Sequence, residues 1–219
     1  MSYDPSDAAY DEFIDQLYKE FRESAIEDDE LYDRIVDDFR ESRLIDYYSE
    51  NPLLTKSARE ALAEAKTLQD NHPRSALVLA VTAAEIILRD ALLSPILYGS
   101  FHTESSARII VNLIASVKND KVTKGLHQIM ATHTGMDIRT FHRTNADKPL
   151  WEEMQEVQKK RNFILHQAGS STADEARQAI SIAEALIDDF FVQVIGQLGL
   201  HIHDNERICG SRICGGPNP

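Results

Sequence analysis

The chain lacks the apolar segments by which proteins insert into or cross membranes. Its longest apolar run, residues 76–93, is interrupted by Glu85, Arg89 and Asp90, so it offers no uncharged span of about 20 residues. The first residues, MSYDPSDAAYDEF, are acidic and contain no apolar signal region. We therefore expect a cytoplasmic protein that does not associate with membranes.

Cysteine is scarce as well. The chain has only Cys209 and Cys214, both in a C-terminal segment rich in glycine and proline, and we expect them to stay reduced in the cytosol. His201 and His203 lie nearby and could join them as zinc ligands. The Cys-x4-Cys spacing is not a common zinc-finger pattern, so we expect neither a metal nor another cofactor.

Several motifs of enzyme chemistry are also missing. The chain contains no GxGxxG or GxxxxGK[ST] loop for phosphate groups and no serine-elbow motif. Nucleotide hydrolysis and redox chemistry are therefore not supported. Alternation of apolar and polar residues nowhere continues far enough to predict a sheet, and no fixed-period repeat occurs.

Acidic residues are plentiful but unevenly distributed. Residues 1–50 contain 17 Asp and Glu against five Lys and Arg, whereas the rest of the chain contains 19 against 18. This division predicts an acidic helical extension over 1–52, a helical bundle over 53–205 and a Gly/Pro-rich tail over 206–219. A negative surface repels nucleic acid, but the near-neutral second part removes much of that objection.

Helical periodicity predicts an all-α fold. In the acidic part, the aromatic and aliphatic residues of 10–21 and 31–39 keep helical spacing. A segment that begins at Pro73 is apolar nearly all round, which predicts a central helix. The expected architecture is an up-and-down bundle of four or five helices. Beyond the extension, the predicted helices are 57–71, 73–93, 105–118, 151–167 and 173–196, and residues 121–133 could form another.

The helix at 151–167 carries an unusual set of polar residues. Arg161 falls inside an apolar stripe, so it needs a partner or an interface. Asn162 and His166 are four residues apart and share one edge of the helix. Gly169 predicts the end of the helix, which leaves His166 in the last turn and open to solvent. The stripe consists of Trp151, Met154, Val157, Ile164, Leu165 and Ala168.

Glu85 is the corresponding exception on the central helix. Its carboxylate lies among apolar positions and needs a counter-charge, for which Arg161 and Arg89 are the candidates. Two plainer interpretations stay open at this point. The Glu85–Arg161 pair could be purely structural, and His166 could serve only to cap its helix.

Cations are frequent between residues 118 and 161. Those considered as contacts for a phosphate backbone are Lys159, Lys160 and Arg143. Glutamates at 152, 153 and 156 dilute this charge, and an ordinary solvated face explains the same residues.

Arg161 and Asn162, with His166 after four intervening residues, resemble the signature of HEPN domains. These are small all-helical domains of prokaryotic toxins and defence systems, and their motif combines an arginine, a polar residue and a histidine. Residues 73–93 are similar to their long buried helix, and residues 172–200 resemble the helix that follows the motif. The resemblance extends over residues 55–203.

The resemblance implies a metal-independent endoribonuclease in which two subunits bring their motifs to one cleft. His166 would act as general acid or base at the ribose 2′-hydroxyl or the leaving 5′-oxygen. Arg161 would bind the scissile phosphate, Asn162 would orient the phosphate or the imidazole, and Glu85 would support them. The implied partners are RNA, a second copy of the chain, and an antitoxin or a defence-system partner.

One departure from the family pattern and one alternative function follow from the same resemblance. HEPN toxins that pair with a nucleotidyltransferase antitoxin have a tyrosine two residues after the histidine, where this chain has Ala168. Silencing by modification of that tyrosine is therefore not expected. Some HEPN domains act only as dimerisation or scaffold modules, and this is the alternative function.

Overall fold

Six helices and one short hairpin make up the described part of the chain. The computed structural model describes residues 41–100, 120–204 and 207–210. Two of the helices contain a π-helical segment. The helices are α1 over 41–50, α2 over Lys56–Leu68, α3 over Pro73–Ile86 with Ile87–Leu93 (π) and Ser94–Ser100, α4 over Asp120–Thr134, α5 over Leu150–Gln167, and α6 over Ala173–Glu184 with Ala185–Phe190 (π) and Phe191–Gln197.

The prediction of an all-α fold is confirmed, with one small exception. Strands β1 (Leu200–His203) and β2 (Arg207–Gly210) pair in an antiparallel hairpin after α6. The prediction that no sheet forms is therefore wrong here, because four-residue strands are too short for alternation to be recognised. Strand β2 lies within residues 206–219, which the sequence predicts to be a Gly/Pro-rich tail. The predicted helices at 10–21, 31–39 and 105–118 lie outside the described residues.

Helix α3 occupies the centre of the packing, as its all-round apolar character predicts. It contacts α2, α5 and α6. Short connections at 69–72 and 168–172 let the consecutive pairs α2–α3 and α5–α6 turn back on each other. The largest fully buried side chains of α3 and its neighbours are Leu77, Ile87, Leu92, Leu150, Met154, Ile182, Leu186, Phe190 and Phe191.

A proline explains why α3 changes its hydrogen-bond pattern. Pro95 has no N–H for the carbonyl of Ala91 four residues earlier, and its ring disfavours α-helical geometry there. The segment before it is π-helical, and the Ser94 N–H donates to the Arg89 carbonyl, five residues back. The Tyr48 hydroxyl of α1 donates to the Ala91 carbonyl over 2.7 Å. This bond ties α1 to the central helix.

Helix α1 belongs to the bundle although it precedes the predicted boundary at residue 52. Its side chains Leu44 and Tyr48 are buried in the common core. The chain divides into units of residues 1–40 and 41–219. The first unit lies outside the described residues, so the acidic helical extension stays a prediction.

A buried histidine lies between α4 and the start of α5. The ring of His127 meets the ring of Trp151 edge-on, with centroids 4.6 Å apart, and the side chain is fully buried. Within the described part of the chain neither ring nitrogen has a hydrogen-bond partner. Burial, assisted by the charge of Arg139 and opposed by that of Asp137, lowers the pKa of His127 to about 4. The imidazole is therefore neutral at pH 7.

We expect His127 to make stability fall on acidification. Its folded pKa lies below the usual value of 6.5, so the unfolded chain takes up the proton first. The contribution is complete above pH 6.5 and is lost as the pH falls towards 4, by up to about 3 kcal/mol. Chemical unfolding at pH 7.5 and 4.5 measures it. Wild type should lose more stability than His127→Leu, and equal losses would contradict a buried neutral imidazole.

Candidate functional site

Helix α5 presents the motif on its last two turns. Its ends follow from local sequence: Pro149 precedes the first turn, and a left-handed Ala168 (φ 51°) terminates the helix, with its N–H donating to the Phe163 carbonyl. The predicted end at Gln167 is thus confirmed, although Ala168 rather than Gly169 takes the left-handed conformation. His166 lies in the last turn, where the negative end of the helix dipole favours a cation.

The guanidinium of Arg161 joins α5 to the central helix. Its Nη2 donates to Oε1 of Glu85, and Nε2 of Gln158 donates to the same oxygen over 3.3 Å. The side chains of Arg161 and Glu85 are 21% and 35% exposed, so water reaches the pair. The predicted partner of Glu85 is therefore confirmed as Arg161. The other candidate, Arg89, binds Asp90 instead, with 2.6 Å between Nε and Oδ1.

The other two motif residues differ in their exposure to solvent. Asn162 is half-buried and His166 is exposed. In the described residues neither side chain makes a hydrogen bond, so both are open to a ligand. Leu165, which the sequence places in the apolar stripe, is 53% exposed. The buried face of α5 thus ends at Ile164. Leu165 is instead an exposed apolar side chain beside Asn162 and His166.

Of the three cations predicted to contact substrate, two are engaged within the fold. Arg143 binds the buried Glu153 through two bonds of 2.8 Å, which uses the fork that a phosphate would need. Lys160 binds Glu175, with 2.6 Å between Nζ and Oε1. Lys159 is exposed and has no ion pair in the described part of the chain. Two further cations of this stretch are also paired, Arg139 with Asp137 and Lys148 with Glu156.

Phe163 also belongs to this surface, although it is not among the predicted site residues. Its ring is 44% exposed, between Asn162 and His166. Its exposure could have been predicted, because Phe163 does not lie on the apolar stripe of the helix.

The residues considered as zinc ligands only partly come together. The hairpin places His201 opposite Cys209, which is buried, whereas Cys214 lies outside the described residues. Across the described ranges no group of three or more His, Cys, Asp or Glu could hold a metal ion. Nor does any helix in those ranges have the length and apolarity needed to cross a membrane.

Comparisons of the chain with protein-family models, with curated proteins and with solved structures find no match. Support for a function therefore comes from the residues of the site.

We expect the Glu85–Arg161 pair to hold α5 against α3. A double-mutant cycle with Glu85→Gln and Arg161→Met, followed by chemical unfolding, should give a coupling energy of about 1 kcal/mol, since water screens a partly exposed pair. The surface pair Asp174–Arg177 is the control and should couple more weakly, because both of its side chains are well exposed. A coupling energy near zero for Glu85 and Arg161 would contradict this role.

Proposed function

We propose that the protein is a metal-independent endoribonuclease of the HEPN type, with Arg161, Asn162 and His166 as its reacting site. The observation that supports this most is the end of α5, where a guanidinium fixed by Glu85 and an exposed imidazole share two helical turns. A role in a toxin or phage-defence system belongs to the same proposal and comes from the resemblance to HEPN domains.

The chemistry needs only groups that the motif and the substrate carry. An imidazole of His166 removes the proton of the ribose 2′-hydroxyl, and that oxygen attacks the phosphorus. The bond to the 5′-oxygen breaks, and the imidazolium of a second copy of His166 donates a proton to it. The products are a 2′,3′-cyclic phosphate and a 5′-hydroxyl. An imidazole suits both tasks, because histidine changes charge near neutral pH.

Arg161 is suited to bind the phosphate in this reaction. Glu85 accepts a hydrogen bond from Nη2 and thereby limits the movement of the guanidinium. In the described part of the chain Nη1 makes no hydrogen bond, so it can donate to a phosphate oxygen on which charge develops. Asn162, one residue on and half-buried, can orient the phosphate or the imidazole.

A non-catalytic dimerisation or scaffold module is the second candidate. Phe163 and Leu165 favour it, because two exposed apolar side chains beside the motif are typical of a contact surface. The pairing of most nearby cations points the same way, since it leaves little positive charge for RNA.

Both candidate functions predict a dimer. Two copies that share one cleft would form a symmetric pair through the motif helix α5 or through α6. Light scattering at micromolar concentration should therefore give twice the mass of the chain. A monomer at that concentration would contradict the shared site.

We expect His166→Ala to lower RNA cleavage by at least about 100-fold, because general acid–base groups contribute that much. Its stability should change by less than about 1 kcal/mol, since an exposed residue at a helix end contributes mainly through the helix dipole. The assay uses labelled tRNA and mRNA at equal protein concentration, with and without EDTA. Wild-type activity should persist with EDTA, because the 2′-hydroxyl supplies the nucleophile.

His142→Ala is the matched control. His142 is exposed and precedes Arg143, which binds the first turn of α5, about 20 Å along the helix from His166. This variant should cleave like wild type. Equal activity of wild type and His166→Ala would indicate a contaminant or another site, and no activity in either would favour the scaffold function.

A further inference from the structure

An aromatic ring and a cation extend the motif along the exposed face of α5. Lys159, Phe163 and His166 are spaced at i, i+4 and i+7, so they follow one another on the same strip of helix surface. All three are exposed. An exposed cation, an aromatic ring and an imidazole thus lie in a row on the helix surface.

The ring of Phe163 is held in place by the chain that follows the helix. It packs on the buried Gly169, where an added Cβ would overlap the ring atoms Cδ1 and Cε1. The absence of a side chain at Gly169 therefore lets the ring rest against the backbone. A ring fixed in this way loses little conformational freedom when a ligand covers its exposed surface.

A second cation is fixed near the ring. Nζ of Lys160 lies 6.0 Å from the centroid of Phe163. Lys160 is held by Glu175, which in turn forms a capping box with Thr172 at the start of α6. This chain of bonds keeps positive charge beside the ring, even though Glu175 partly offsets it.

We propose that Phe163 is a stacking platform for an unpaired base of RNA next to the scissile phosphate, with Lys159 contacting the adjoining backbone. The inference rests on the proposed ribonuclease function and adds its substrate class, which is single-stranded RNA. Aromatic rings flanked by cations bind single strands because every base has a π-face, whereas bases inside a duplex are already stacked.

The test measures binding apart from cleavage. The probe is a fluorescein-labelled single-stranded 2′-fluoro oligonucleotide, which lacks the attacking hydroxyl and stays intact on the wild-type protein. Anisotropy should show binding about tenfold weaker for Phe163→Leu and near wild-type binding for Phe163→Trp, because only the latter keeps an aromatic face. Leu53→Ala, which shortens an exposed apolar side chain outside α5, is the control and should bind like wild type.

Gly169→Ala tests the same site without altering Phe163. The added methyl group should displace the ring and weaken binding of the single strand, with the helical circular dichroism unchanged. A 2′-fluoro duplex should bind less well than the single strand. Phe163→Leu should leave the affinity for the duplex unchanged. In the Phe163→Trp variant an unlabelled single strand should quench the fluorescence of the introduced indole. Quenching beyond that seen from Trp151 in wild type would report stacking directly.

Each outcome separates this inference from the function on which it rests. Equal binding by wild type and Phe163→Leu, together with cleavage that depends on His166, would overturn the stacking platform and leave the ribonuclease. Binding that depends on Phe163 without any cleavage would support the stacking platform and overturn the ribonuclease. If Phe163→Leu changes only the monomer–dimer balance, the ring belongs to a protein contact and the inference is wrong. A single strand that does not bind at all overturns it too.

Discussion

Burial of α3 on nearly all sides is the constraint on which the bundle depends. Transfer of its apolar surface out of water is the main favourable contribution to folding, and it requires neighbours on several faces. Small residues at the helix contacts let backbones approach closely. They are Ala76, Ala80, Ala83 and Ala84 of α3, with Ala58 and Ala65 of α2 and Ala176, Ala179 and Ala183 of α6.

The same constraint leads to the candidate site. A carboxylate on a largely buried helix needs a counter-charge, and Glu85 obtains it from Arg161. The pair thereby joins α5 to α3 beside Asn162 and His166, and it adds to the apolar contact of the two helices. Because α5 ends at Gln167, directly after His166, the imidazole is exposed to solvent at the end of the helix.

Charge sets a limit on how this protein could bind RNA. Most described cations between residues 139 and 161 are engaged in ion pairs, and residues 1–50 are strongly acidic. The described residues of this stretch therefore offer few cations for phosphate contacts. RNA binding of the proposed kind would depend on a few contacts, for which Arg161, Lys159 and the ring of Phe163 are the candidates. A preference for flexible single strands is consistent with so small a set.

The sequence by itself determined helices α2 to α6, the central position of α3 and the need of Arg161 for a partner, but neither helix α1 nor the continuation of α3 to Ser100. These depend on the spacing of apolar residues along one helix and on the cost of burying a charge, and both are local properties. It also limited the candidate counter-charges of Glu85 to two residues, Arg161 and Arg89.

Only the tertiary structure decided which of those two binds, and which cations remain open to a ligand. Arg143 lies ten residues from Glu153, and Tyr48 lies 43 residues from the Ala91 carbonyl that it satisfies. Nor does the sequence predict that His127 is buried against Trp151 or that Phe163 packs on Gly169. Such pairings depend on how separate elements meet in space, and periodicity along the chain carries no information about that.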